Sequence, residues 1–296
     1  MKTLAFIGLG RMGRLMAANL ESAGFSVRSF DLNGTGNCRS AKQAAAGAQV
    51  LITMLPDGKA VRKAVLAASP SPGTVVVDMS SSDPTATRQL EKQLKKKGVS
   101  LVDAPVSGSV AGARDATLAI MAGGDGQILK AISPVLHALG KKTFHVGPVG
   151  SGHAMKALNN YIGASGTIAA FEALLVGKAF GLDPALMVEV FNASTGYNST
   201  TRRKIPQQVL TNAFASGFSA ALMTKDVGIA ASLSKTVRVP SPYLRATSRL
   251  WRDALRRLRP GADHTEMYRY LEKLKLPSRG AASRRSRSRR KRRRST

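Results

Sequence analysis

The sequence predicts an α/β chain in two parts: a largely parallel sheet wrapped by helices, then an all-α domain joined to it by a long interdomain helix. Three observations carry this. Short apolar runs alternate with helical stretches up to Pro148, the rhythm of βαβ units. The first run ends in closely spaced glycines that open a helix. From His153 to Phe180 the chain runs 28 residues without a proline, mixing small and apolar side chains as a buried helix does.

Thr3–Gly8 (TLAFIG) reads as the first strand. Arg11–Ala23 follows with Met12, Leu15, Met16 and Leu20 on one side, the spacing of a helix. Ser26–Phe30, Val50–Leu55, Thr74–Met79 and Ser100–Ala104 read as the next four strands, with Pro56 stopping the third. Ala119–Ala122 and Lys142–Val146 are two more. The unbroken apolar run in Thr74–Val77 suits a strand covered on both faces. Gly181 ends the long helix and Pro184 starts the next. The remainder, to about Leu276, reads as helices with loops at Thr195–Ser199, Ala215–Phe218 and Arg238–Tyr243. The plan is therefore a first domain over 1–150, a helical domain over 151–276, and a tail over 277–296. The tail is rich in Arg and Ser. With so little to bury, it cannot offset its ordering entropy and is expected to be disordered.

Length and composition exclude several classes. A chain of 296 residues with 43% hydrophobic content can bury two cores. One cysteine, Cys38, rules out an internal disulfide framework and a multi-cysteine zinc site, and fits a reducing compartment, hence the cytoplasm. The four histidines show no metal spacing, and no run of 18 apolar residues suggests a membrane span. The net charge is +28, and Ser278–Thr296 holds nine Arg and one Lys with no acid. The tail is thus a candidate for non-specific polyanion contact, while the basic body suits small anionic ligands.

Gly8-Leu9-Gly10-Arg11-Met12-Gly13 is a G-x-G-x-x-G at a strand-to-helix junction. Gly8 permits the tight turn, Gly10 lets a pyrophosphate approach the backbone, and Gly13 lets helix and sheet pack closely. The helix N-terminus adds free N–H groups and the positive end of its dipole. Asp31 stands 18 residues after Gly13, at the end of the second strand. A carboxylate there accepts from ribose hydroxyls and repels a 2′-phosphate. The first domain is accordingly a Rossmann dinucleotide-binding domain, and the cofactor NAD rather than NADP.

Four further motifs resemble the β-hydroxyacid dehydrogenase family, in the pattern of its 3-hydroxyisobutyrate dehydrogenase and tartronate semialdehyde reductase branches. The resemblance spans residues 1 to 276. Thr53-Met54-Leu55-Pro56 reads by itself only as a strand end; the resemblance makes Met54, Leu55 and Pro56 cofactor contacts. Asp103 to Ala113 (DAPVSGSVAGA) can offer amides and hydroxyls to a carboxylate, or be only a turn; the resemblance makes Ser107, Gly108 and Ser109 substrate-binding. Ser109 stands where the family has a second glycine. Gly150 to Lys156 (GSGHAMK) opens the long helix, with Asn160 one turn beyond Lys156 on the same face. A lysine on so apolar a helix is either functional or snorkelling to the surface; the resemblance makes Lys156 catalytic, with Asn160 beside it. Lys225-Asp226, an ordinary charge pair by itself, matches a pair whose lysine closes the nicotinamide end of the cleft. Ser81, in a run of three serines after the fourth strand, matches a cofactor position. His153 reads as a helix-entry residue. The stretch from Leu32 to Gln49 is shorter than the family pattern.

The resemblance implies an NAD-dependent enzyme that moves a hydride between nicotinamide and a small β-hydroxy acid, with Lys156 as general acid and base. It also implies a homodimer or homotetramer. The alternatives are a tartronate or succinic semialdehyde-type reductase using NADPH, and a non-catalytic dehydrogenase-like module associated with nucleic acid. The 6-phosphogluconate type would need a much larger helical domain.

Overall fold

The computed structural model describes residues 3–274; the tail expected over 277–296 lies outside the described residues. The first half alternates strands and helices: β1 (Thr3–Ile7), α1 (Gly13–Ser22), β2 (Ser26–Phe30), α2 (Ala41–Ala45), β3 (Val50–Thr53), α3 (Gly58–Ala68), β4 (Val75–Asp78), α4 (Pro84–Lys95) and β5 (Ser100–Asp103). These five strands are parallel, in the order β2-β1-β3-β4-β5. The order reverses beside β1, so the crevice at the C-terminal ends of β1 and β3 is a topological switch point. Side chains alternate across the sheet. Leu4, Phe6, Ile52 and Val77 enter one core. Ala5, Ile7, Leu51 and Val76 enter the other. Both faces are covered, which is why these strands read as unbroken apolar runs.

The sheet continues differently from its parallel start. β6 (Val106–Ser107), α5 (Ser109–Arg114), β7 (Ala119–Gly123), α6 (Gly126–Ala131), α7 (Ser133–His137) and β8 (Lys142–Gly147) follow. β7 runs antiparallel to β5 and β6, and β8 is parallel to β7. The short strand β6 lies inside the stretch read as a small-residue loop. The third strand also ends earlier than expected, at Thr53 rather than Leu55. The shortened segment after β2 is not idle. Asn37 Oδ1 accepts from Ser29 N at 2.7 Å, and its Nδ2 donates to Val27 O at 2.9 Å. One side chain thereby covers the open edge of β2, satisfying groups that would otherwise invite another strand.

The second half is helical: α8 (Ser151–Phe180), α9 (Pro184–Ala193), a π-helical stretch Thr200–Val209, α10 (Ala220–Thr236), α11 (Pro242–Arg257), a 3-10 turn His264–Glu266, and α12 (Met267–Glu272). The loop expected to reach Tyr243 ends at Ser241, because Pro242 starts α11 from the N1 position where its missing N–H costs nothing. α8 is long and apolar enough, by composition alone, to cross a bilayer. Here Ala157, Ala164, Ile168, Phe171 and Leu174 line a core with Trp251, Val227 and Met267, which makes α8 the spine of the helical domain. Asp103, at the end of β5, fixes its start. The carboxylate accepts from Gly150 N at 2.7 Å and from His153 N at 2.8 Å, satisfying first-turn amides that have no partner inside the helix.

Candidate active site

The glycine turn fits a dinucleotide. Gly8 has φ +102°, and a side chain there would strike the Met54 carbonyl, while one on Gly13 would strike the Gly8 carbonyl. A Cβ on Gly10 would meet nothing within 4 Å, so the backbone at that position faces open space. No side chain caps α1 and no acid lies in its first turn, so its positive end is left for an anion. Leu9 is half-buried, with Gly10 and Arg11 exposed beside it. Asp31 Oδ2 accepts from Leu9 N at 2.7 Å, which ties the acid to the turn it would serve. Asp31 also lines a cavity of about 500 Å³ with Phe30, Leu32, Asn37, Cys38 and Arg39. The residues present fit a pyrophosphate at Gly10 and an adenosine ribose at Asp31.

The serine run after β4 sorts itself. Ser80 Oγ accepts from Leu55 N at 2.9 Å and Ser82 Oγ donates to Asp78 at 2.9 Å, both buried. Ser81 is half-buried, and its carbonyl accepts from Lys225 Nζ at 2.9 Å. The Pro56 carbonyl accepts from the same ammonium at 2.6 Å. Lys225, on α10, therefore clasps two loops of the Rossmann domain across the cleft.

The same ammonium lies 3.7 Å from Asp226 Oδ1. Asp226 Oδ2 accepts from Asn160 Nδ2 at 2.6 Å, and Asn160 shares a face of α8 with Lys156. Lys156, Asn160, Lys225, Asp226, Pro56 and Ser81 are thus gathered at one seam between the domains. Burial pushes the Lys156 ammonium below the usual lysine range; Asp226 opposes the shift and Lys225 adds to it. Burial pushes Asp226 above the usual carboxylate range, against the pull of Lys225 and Lys156. A half-buried lysine with a lowered affinity for its proton is a candidate to move one.

The loop expected to take a carboxylate is exposed at Gly108 and Ser109. Ser109 has φ +61°, the left-handed region that favours glycine, which explains why a glycine usually stands there. The serine bears that strain and sets a hydroxyl at the mouth of the loop. Met12 and Met54 pack on the sheet core near the glycine turn. Among the described residues, the candidates fall in three groups: the glycine turn with Asp31, the Ser107–Ser109 loop, and the Lys156–Lys225 seam.

Sequence reasoning missed the support beneath these groups. Asp226 was visible only as half of a charge pair, because its partner Asn160 lies 66 residues away. Asp103 was one residue of a loop motif, although it holds the first turn of α8 and hence the position of Lys156. His153 is buried, with Nδ1 2.8 Å from Thr87 Oγ1 and Nε2 3.5 Å from Asp78. It locks the helix entry against α4 and β4. An acid at a strand end, three residues before a small-residue loop, was the available signal for Asp103.

Comparison with known proteins agrees with this geometry. Residues 3–147 match the family described as the NAD binding domain of 6-phosphogluconate dehydrogenase. Residues 150–271 match the family described as NAD-binding of NADP-dependent 3-hydroxyisobutyrate dehydrogenase. The chain is 40% identical over 249 residues to a probable 3-hydroxyisobutyrate dehydrogenase of Mycobacterium tuberculosis, covering 78% of this chain and 84% of that protein. It is 38% identical over 263 residues to an NAD-dependent L-serine dehydrogenase of Pseudomonas aeruginosa, covering 82% and 88%. It is 37% identical over 255 residues to a 2-(hydroxymethyl)glutarate dehydrogenase of Eubacterium barkeri, covering 81% and 84%. The solved structure of M. tuberculosis 3-hydroxyisobutyrate dehydrogenase with L-serine superposes with a TM-score of 0.85 at 34% identity, covering 92% of this chain and 99% of that one. The chain therefore belongs to the β-hydroxyacid dehydrogenase family and is an NAD(P)-dependent oxidoreductase of the 3-hydroxyisobutyrate dehydrogenase type.

Proposed function

We propose that this chain oxidises a small β-hydroxy acid resembling 3-hydroxyisobutyrate, using NAD, with Lys156 as the proton acceptor. The observation that carries the reading is the seam itself. Lys156 is half-buried beside Asn160 and Asp226, and burial weakens its hold on its proton. The substrates for which the three relatives are named share one unit, a hydroxymethyl group on the carbon that bears a carboxylate.

Bound at the glycine turn, the nicotinamide cofactor supplies the hydride chemistry. The remaining work falls to the chain. Ser107, Gly108 and Ser109 hold the substrate carboxylate with hydroxyls and amides. Neutral Lys156 takes the hydroxyl proton onto Nζ as the carbon is oxidised, and returns it when the reaction runs backwards. Asn160 is fixed by Asp226, which accepts from its Nδ2, and its Oδ1 accepts from Asn159 Nδ2 at 3.3 Å, leaving one lone pair to accept from the substrate hydroxyl or from Lys156. Lys225 holds Pro56 and Ser81 across the cleft and keeps water out. Leu9, Arg11, Met12, Met54 and Leu55 line the dinucleotide. Asp31 favours NAD by repelling a 2′-phosphate. Residues 1–150 form the cofactor unit and 151–276 the substrate and pairing unit.

The test is NAD reduction with 3-hydroxyisobutyrate, L-serine and 2-(hydroxymethyl)glutarate, beside the semialdehydes with NADPH. Turnover of the hydroxy acids with NAD is the expected result. Faster semialdehyde reduction with NADPH would favour the reductase reading. No turnover of any of them, with NAD still bound, would favour a non-catalytic module.

An exposed apolar face on α8 supports a pairing surface. Met155, Leu158 and Ile162 recur every three or four residues along α8, as do Ala169, Ala173, Val176 and Phe180 after a step of seven, and all are exposed. Ile162 is 69% and Phe180 84% accessible. An apolar seam of that period on a 30-residue helix suits a second copy of the same helix. We propose a homodimer or homotetramer built on it. The single thiol accords with a cytoplasmic protein, and the Arg/Ser segment with salt-sensitive polyanion contact.

A further inference from the structure

Lys204 is a third half-buried lysine, after Lys156 and Lys225, and nothing in the reaction above uses it. It sits in the π-helical stretch Thr200–Val209, packed against α8. Its Nζ donates to Thr167 Oγ1 at 2.9 Å. That hydroxyl donates in turn to the Gly163 carbonyl at 2.8 Å and lies 2.9 Å from Thr200 Oγ1. Among the described residues, no carboxylate lies within ion-pairing distance of Lys204 Nζ. Asp263 acts on it from farther away, but its oxygens already accept from Ser216, Gly217 and Thr265. An ammonium has three donors, and only one is engaged here. Burial brings its pKa down to about 8, with Asp263 opposing and Arg203 adding to the shift. A half-buried cation without a counter-ion is an expensive feature to keep.

Its position gives it a use. Lys156, Asn160, Gly163 and Thr167 fall on one stripe of α8, at i, i+4, i+7 and i+11. A side chain on Gly163 would meet nothing within 4 Å, so the stripe opens onto free space just beyond Asn160. The Lys204 ammonium is tied to that stripe through its hydrogen bond to Thr167. It is held at the level of Gly163 and Thr167, one to two turns past Asn160, or roughly 5–10 Å at 1.5 Å per residue. The wall behind it reaches the cofactor turn, since Arg11 donates to the Gly217 carbonyl at 3.4 Å and Gly217 N to Asp263 at 2.9 Å.

We infer that Lys204 is the distal anion-binding residue of the substrate cleft, and that the preferred substrates are β-hydroxy acids carrying a second carboxylate. One carboxylate goes to the Ser107–Ser109 loop. The hydroxyl meets Lys156, and the second carboxylate reaches Lys204 over Gly163. The inference rests on Lys156 and Asn160 marking the reaction centre.

The experiment compares kcat/KM for 2-(hydroxymethyl)glutarate and 3-hydroxyisobutyrate at saturating NAD. A desolvated charged hydrogen bond predicts a ratio of about 10–100 in favour of the dicarboxylate. Lys204→Met should bring that ratio close to one, mostly through KM for the dicarboxylate, while Lys204→Arg should keep it. Gly163→Leu, which fills the open space beside Gly163, should also lower the ratio. A wild-type ratio near one, or a ratio unmoved by both Lys204→Met and Gly163→Leu, overturns the inference. Calorimetry with glutarate and butyrate on the NAD-loaded protein separates this outcome from failure of the dehydrogenase reading. Without turnover, glutarate binding that exceeds butyrate binding and is lost in Lys204→Met upholds the anion site while the enzymatic reading falls. Equal binding of the two overturns the inference.

Discussion

Lys225→Met removes the clasp across the cleft while keeping the length of the side chain. Lys225 donates to two carbonyls of the other domain, Pro56 at 2.6 Å and Ser81 at 2.9 Å. A hydrogen bond from a charged donor contributes about 1.5–3 kcal/mol when buried. The Lys225 side chain is 26% accessible, and Pro56 is exposed, so solvent competes for this pair of bonds. Together they are worth about 2 kcal/mol, which moves a closed-to-open equilibrium by about 30-fold. The variant should therefore raise the Kd of the ternary complex by about 5–30-fold. Its kcat should fall less, because the acid–base group remains. A second effect follows from charge. Lys225 is one of the groups that lower the Lys156 pKa, so its removal raises that pKa. On the proposed mechanism oxidation needs neutral Lys156, so the rising limb of kcat/KM against pH should move to higher pH. The assays are calorimetric titration with NAD plus a product analogue, and a pH–rate series. Unchanged affinity together with an unmoved pH limb would refute the clasp.

The remaining predictions concern neighbouring groups. Asp226→Asn removes the charge that favours the Lys156 ammonium, so the same limb should move to lower pH; a shift to higher pH would contradict the assigned geometry. Asp31→Asn should relax discrimination against NADP, seen as a rise in the kcat/KM ratio of NADP to NAD. Asp31→Ala should further weaken NAD by about tenfold, because the Leu9 amide also loses its acceptor. Phe180→Arg on the exposed seam of α8 should lower the mass seen by light scattering; an unchanged assembly would move the interface elsewhere.

The parallel half of the fold was legible because burial on both faces writes unbroken apolar runs, as in Val75–Val77, and because a glycine turn has local chemistry. Ala119–Ala122 was legible as a strand but its antiparallel direction was not, since strand direction leaves no mark on periodicity, and the two-residue β6 was missed. The π-helical stretch was hidden by its polar sequence, TTRRK, which reads as solvated surface. Pro206 sits inside it, and Leu210 N donates to Ile205 O five residues back, so the wider turn carries a residue that would break an α-helix. Of the site, the groups in local motifs were legible: Gly8, Gly10, Gly13, Asp31 and Lys156. The partners that tune them come from distant segments. Asp226 reaches Asn160 only when α10 packs on α8 within the helical domain, and Lys225 reaches Pro56 only across the seam between the domains.

The central claim is that Lys156 moves the proton. Lys156→Ala should fold normally, since alanine is the residue a helix accepts most readily, and should bind NAD with near wild-type affinity. The decisive measurement is kcat for hydroxy-acid oxidation at saturating NAD, beside calorimetric titration with NAD. Loss of a positioned acid–base group predicts a fall of about 10²–10⁴-fold in kcat. Lys156→Arg should not restore it, because a guanidinium does not release its proton near neutral pH. A Lys156→Ala variant with near-normal kcat would contradict the account.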